Sequence, residues 1–185
     1  IDVKIKNNKY FMISLHPETI NGKNTSLSKN LLKSLKKYNQ YIQIFSYPNS
    51  DSESNIILKD IKKYVSYNDN AVLHQSYGRI DYLHLLKYSE IIIGNSSSGF
   101  VEAPYLETPT VNIGTRQKGR PTTDSIFNSS YSTASIISNI NLALNYKNSR
   151  KNINYKGMGS VDKVMQILKT IKIDNIKNKS FVDIT

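Results

Sequence analysis

The sequence predicts an α/β fold in which a parallel sheet carries helices on both faces, and three observations lead to it. Short apolar runs alternate with stretches of helical spacing at least four times along the 185 residues. The connections between these segments are short, as in compact crossover units. Finally, Ile91-Ile-Ile-Gly-Asn-Ser-Ser-Ser-Gly-Phe-Val-Glu-Ala-Pro104 runs a buried-looking strand into a loop of glycines and hydroxyls, and that loop into a helix. The first turn of such a helix presents unpaired N–H groups at the strand's carboxyl end, and Ser96, Ser97 and Ser98 add hydroxyl donors suited to phosphate. The same serines also suit a plain helix cap with no ligand.

The elements follow in order. Tyr10 to Leu15 is an apolar run halted by His16-Pro17, which reads as a buried strand. Ser26 to Tyr38 sets Leu27, Leu31, Leu32 and Leu35 at helical spacing, with Lys33, Lys36 and Lys37 on the other face. Tyr41 to Tyr47 alternates as a strand and stops at Pro48-Asn49. Glu53 to Val65 is a helix with Ile56, Ile57, Ile61 and Val65 apolar. Ala71 to His74 is a short strand, Ile80 to Lys87 a helix, and Glu90 to Gly94 the strand before the serine loop. A helix to about Leu106 and a strand over Pro109 to Gly114 come next, and Thr133 to Leu144 and Val161 to Ile173 are closing helices. The expected organisation is one α/β domain over residues 1–173 and an Asn/Lys-rich tail over 174–185.

Composition narrows the function classes. Without cysteine, a disulfide-built fold, a thiolate metal site and a thiol nucleophile are excluded. No window reaches the ~18 apolar residues of a membrane span, and the first residues lack a signal pattern, so a soluble cytoplasmic protein with no membrane partner is expected. The first residue is Ile rather than Met, which suggests a piece of a longer polypeptide. The net charge of +11, from 25 Lys plus Arg against 14 Asp plus Glu, would suit nucleic acid or a phosphorylated ligand. Most of these cations are lysines scattered through Asn-, Ser- and Tyr-rich sequence, with no charge block, zinc-finger spacing or aromatic RNP-type motif. A solvated lysine face is the favoured reading, and no nucleic-acid partner is expected.

In a doubly wound sheet, ligands bind outside the strands' carboxyl ends. The residues there are His16, Asn49 with Asp51, Gln75 to Gly78, Asn95 to Gly99, and Gly114 to Arg120. This donor-rich set, with Arg116 and Arg120, suits a diphosphate, and Glu102 could accept both hydroxyls of a ribose. Each has a plainer reading: His16 as a polar strand terminus, Glu102 as a helix-dipole partner, the arginines as solvated loop charges. Other chemistries fit less well. A serine hydrolase elbow needs Gly where Ser98 stands and a histidine after the serine, whereas His16, His74 and His84 all precede Ser96. No H-x-x-x-H pair or acidic cluster suggests a metal, and neither G-x-x-x-x-G-K-[ST] nor G-x-G-x-x-G occurs; no metal or cofactor is expected.

Five segments together carry a family resemblance: Ser14-Leu-His-Pro-Glu-Thr19, Tyr47-Pro-Asn-Ser-Asp51, Gly94 to Pro104, Thr108-Pro-Thr-Val-Asn-Ile-Gly-Thr-Arg-Gln-Lys-Gly-Arg120, and Tyr155-Lys-Gly-Met-Gly-Ser160. The chain resembles the carboxyl-terminal half of the UDP-N-acetylglucosamine 2-epimerase family, in the hydrolysing branch that feeds sialic-acid-type sugar synthesis. The resemblance implies a Rossmann-like domain, the second of a glycosyltransferase-B fold, with the amino-terminal domain of the family absent. It implies that Ser96 and Ser97 hold the diphosphate and Glu102 the ribose, with Arg116 and Asn49 at the nucleotide. Backbone groups around Tyr77 and Gly78 would read the uracil, and His16 would be needed for activity near the phosphates. The implied partners are UDP, a UDP-N-acetylhexosamine and the amino-terminal domain; homo-oligomerisation stays open. Gly157-Met-Gly159 keeps the glycines of a family loop that often has an acidic or amide residue between them. Two other classes remain, a UDP-sugar-binding domain of a glycosyltransferase and a nonenzymatic domain that binds polyanions through its lysines.

Overall fold

The computed structural model describes residues 8–18, 24–147 and 159–171. Two compact units divide the chain, Ile1–Asn154 and Tyr155–Thr185. Among its described residues the first holds six strands, β1 (Tyr10–Ser14), β2 (Ile42–Ser46), β3 (Ala71–His74), β4 (Ile91–Gly94), β5 (Thr110–Ile113) and β6 (Ile126–Ser129), and five helices. These are α1 (Asn24–Leu35), α2 (Ser54–Val65), α3 (Gly78–Tyr88), α4 (Glu102–Tyr105) and α5 (Thr133–Leu144). The described part of the second unit is α6 (Ser160–Thr170), where Val161, Val164 and Leu168 are exposed. The expected tail over 174–185 and the Gly157-Met158 part of the glycine loop lie outside the described residues.

All six strands are parallel and lie in the order β3-β2-β1-β4-β5-β6. Chain direction across the sheet reverses between β1 and β4, where Phe11 pairs with Ile91 and Ile13 with Ile93. Strands buried on both faces read as continuous apolar runs, and β1 and β4 are buried throughout. Side chains alternate across the pleat, so each run supplies two cores. Phe11, Ile13, Phe45, Ile91, Ile93 and Val111 pack on α1, α2 and α5 through residues such as Leu31, Ile57 and Ile140. Met12, Ile44 and Ile92 pack on Leu85 and Leu86 of α3 and Ala103 of α4. A buried polar residue in β2, Gln43, is satisfied: its amide donates to the Leu35 carbonyl at 3.0 Å and its oxygen accepts from Tyr64 at 2.9 Å.

Two differences from the sequence reading bear on the site. β6 is an additional edge strand, paired in register with β5 (Val111 to Phe127). Its four residues, Ile-Phe-Asn-Ser, have neither alternation nor a turn signal, and pairing alone defines it. The expected helix through Leu106 is instead a 3-10 turn at Ser97–Gly99 followed by the single turn of α4. Pro104 fits inside that first turn, where no N–H partner is lost.

Candidate functional site at the carboxyl edge of the sheet

Three loops meet at Asn95, which is fully buried directly after β4. Its backbone N–H donates to the Ser14 carbonyl at 3.2 Å. Its side-chain oxygen accepts the His16 N–H at 2.7 Å, and its side-chain nitrogen donates to the His16 carbonyl at 2.8 Å. The Asn95 carbonyl in turn accepts from Gln117 Nε2 at 2.8 Å and from Arg116 Nη1 at 3.4 Å. A side-chain amide can do this because it copies the donor and acceptor of a peptide group, extending the β1–β4 pairing past the strand ends. The close approach also needs Gly94: at φ +143°, a Cβ there would lie 1.9 Å from the Ser14 carbonyl oxygen.

His16 is buried beside this hub. The Asn49 backbone N–H donates to Nδ1 at 3.0 Å, so Nε2 carries the proton of the neutral ring and faces Ser14 Oγ at 3.2 Å. Desolvation, reinforced by the Arg116 charge and opposed by Asp51, lowers its pKa from 6.5 to about 4. The ring is therefore neutral at pH 7. Arg116 Nη2 lies 3.6 Å from Asp51 Oδ2, so the guanidinium is aimed at the loops after β1, β2 and β4.

Ser96 and Ser97 are half-buried on the 3-10 turn. Ser96 Oγ accepts from the Ser98 N–H at 3.3 Å, so it does act as a cap. With only one turn of α-helix behind it, the loop offers an anion individual N–H and O–H donors more than a macrodipole. Desolvation raises the pKa of the Tyr82 phenol, the Glu102 charge adds to the rise, and the nearby Ser98 and Ser14 side chains partly offset it.

Glu102 opens α4 and lines a cavity of about 390 Å³ with Ser46, Gln75, Tyr77, Gly78 and Tyr82. Tyr77 donates its hydroxyl to the Phe45 carbonyl at 3.1 Å and stacks on His74 with ring centroids 4.8 Å apart. Burial pushes its phenol up to about 12. Gly78 begins α3 at φ +67°, and its N–H donates to Ser76 Oγ at 3.3 Å.

The structure thus gathers His16, the Asn49 backbone, Ser96, Ser97 and Arg116 around the β1–β4 reversal, and Tyr77, Gly78 and Glu102 around the adjoining cavity. Arg120, the other arginine of the motif, is exposed. Two residues of this edge to which sequence reasoning gave no role of their own are Asn95, placed there only as the start of the Asn95 to Gly99 loop, and Glu18. Glu18 is buried and accepts the backbone N–H groups of Thr115 at 2.9 Å and Arg116 at 3.2 Å. A polar residue immediately after a buried strand was the available signal for Asn95; Glu18, in the His-Pro-Glu run, had none.

A parallel sheet of order 3-2-1-4-5-6, with donor-bearing loops at its reversal point, defines a Rossmann-like domain of the glycosyltransferase-B type. More particularly, the chain belongs to the UDP-N-acetylglucosamine 2-epimerase family, whose model matches residues 1–169. It is 34% identical to the GDP/UDP-N,N'-diacetylbacillosamine 2-epimerase (hydrolyzing) of Campylobacter jejuni, over 94% of this chain and 47% of that protein. It is 33% identical to the polysialic acid biosynthesis protein P7 of Escherichia coli, over 95% of this chain and 46% of the relative. The chain spans about half the length of these curated relatives. Among solved structures it resembles the Neisseria meningitidis UDP-GlcNAc 2-epimerase bound to UDP-GlcNAc, with a TM-score of 0.68 and 21% identity, covering 89% of this chain and 46% of that one. At that identity the likeness speaks for the fold.

Proposed function

We propose that this chain is the UDP-holding, carboxyl-terminal half of a hydrolysing 2-epimerase acting on a UDP-acetamido sugar. The observation that carries the reading is the meeting of His16, Arg116 and the serine loop at Asn95. In the reaction, anti elimination of UDP gives a 2-acetamidoglucal, and water then adds with inversion at C2 to release an N-acetylmannosamine-type sugar. Departure of UDP leaves negative charge on the β-phosphate, which donors already fixed in place stabilise without reorganisation. Arg116 supplies the charge, Ser96 and Ser97 the neutral donors, and Glu102 a ribose acceptor beside the cavity where the Tyr77–Gly78 backbone meets the base. His16 is neutral before binding; a diphosphate alongside it would raise its pKa and let it share a proton with the leaving phosphate.

The base that removes the C2 proton belongs to the amino-terminal domain in this reading, so the 185 residues bind UDP and turn nothing over. The Campylobacter relative's name supports a 2,4-diacetamido sugar as the substrate alongside UDP-N-acetylglucosamine. Calorimetric titration with UDP tests the site. Saturable binding that Ser96→Ala and Glu102→Ala each weaken is expected; binding that salt alone abolishes, with both variants unchanged, would mean a polyanion surface instead.

A further inference from the structure

Resting on that reading of the site, we propose that Glu18 is a positioning residue that holds the Thr115–Arg116 backbone so that the Arg116 guanidinium is presented at the carboxyl edge. Glu18 follows His16 by two residues in the loop after β1, and is only 4% exposed. Its Oε1 accepts both consecutive N–H groups, Thr115 at 2.9 Å and Arg116 at 3.2 Å. Its Oε2 accepts from Thr115 Oγ1 at 3.4 Å and from the hydroxyl of Tyr131, on the loop between β6 and α5. One carboxylate therefore ties the loops after β1, β5 and β6.

Two adjacent N–H groups directed at one oxygen fix the backbone dihedrals between them, and a carboxylate has the acceptor capacity to take side-chain donors as well. The neighbouring residue is shaped for this contact. Gly114 sits at φ +80°, and a Cβ there would lie 2.3 Å from Glu18 Oε1 and 2.6 Å from the Tyr131 ring. From the anchored backbone, the Arg116 side chain reaches the Asn95 carbonyl and Asp51. Arginine is a long, rotamer-rich side chain, and a loose backbone beneath it would have to be ordered at the moment of binding. Fixing the base of the side chain in advance makes Arg116 a preorganised donor.

The test has two arms on the same variants, Glu18→Gln and Tyr131→Phe. In the ligand-free protein, hydrogen exchange at the Thr115 and Arg116 amides should accelerate about tenfold in Glu18→Gln. Unchanged exchange overturns the proposal. In UDP titrations, Glu18→Gln should weaken binding about tenfold and Tyr131→Phe a few-fold, the scale of charge-assisted hydrogen bonds. In an Arg116→Ala background the same substitutions should change affinity less than about twofold, because their effect passes through Arg116. Equal losses in both backgrounds show a merely structural role and overturn the proposal. Absence of UDP binding by the unsubstituted protein would instead sink the reading of the site, leaving the exchange arm to decide whether Glu18 holds the loop. Tyr131→Phe keeps both arms readable where Glu18→Gln fails to fold.

Discussion

Burial and the Arg116 charge hold His16 near pKa 4, so the unfolded chain takes up a proton between pH 6.5 and 4 that the folded chain refuses. Stability contributed by the neutral ring is complete above pH 6.5 and is lost as pH falls through about 4, by up to about 3 kcal/mol. Urea denaturation at pH 7 and pH 4.5 checks this: His16→Gln should flatten the difference, and an undiminished acid slope would place its origin elsewhere. UDP should reverse the field at the ring, so an NMR titration of His16 should show its pKa rising on saturation with UDP. Asp51 lies against the same guanidinium that a diphosphate would use. Asp51→Asn should therefore strengthen UDP binding about two- to fivefold, the modest scale of a half-exposed ion pair; weaker binding would mean that Asp51 orients Arg116 rather than competing for it. His16, Ser96 and Arg116 were legible because each stands beside a strand end. Asn95's role and Glu18 were not, because their partners lie 79 and 97 residues away.

At the level of elements, β1 to β5 and five helices (α1, α2, α3, α5 and α6) were readable, since two-sided burial demands apolar strands and one-sided burial demands helical spacing. Thr133–Leu144 appears with the expected bounds. β6 escaped because a short edge strand needs no pattern of its own when β5 supplies the ladder. The truncation of α4 was also hidden, as the sequence shows Pro104 but not that Thr110 Oγ1 donates to the Gly99 carbonyl at 2.8 Å, fastening the turn to β5. The junction of β1 and β4 is the element most exposed to a single methyl group. Gly94→Ala would drive a Cβ into the Ser14 carbonyl, at a cost of at least about 2 to 3 kcal/mol. Chemical denaturation should show it, with UDP binding reduced as the loops after the two strands separate. A variant as stable as the parent would mean that the strands can part without loss.

For the molecule as a whole, a ligand that binds only the folded state raises its melting temperature with concentration. UDP should do so for the 185 residues, adding about 2.7 kcal/mol to the unfolding free energy at a hundredfold excess over Kd, while product assays with a UDP-acetamido sugar find no free N-acetylmannosamine-type sugar. Turnover by the chain alone would show that its own residues supply the base. From sequence by itself came the layered α/β architecture, the position of the serine loop and the family. Those depend on burial periodicity and on motifs contiguous in the chain, which neighbouring residues are enough to write. Only the tertiary structure decided that Asn95 joins three loops, that His16 is neutral and that Glu18 lies beneath Arg116. Burial, dielectric environment and hydrogen-bond partners between distant residues come into being only when the strands are laid side by side.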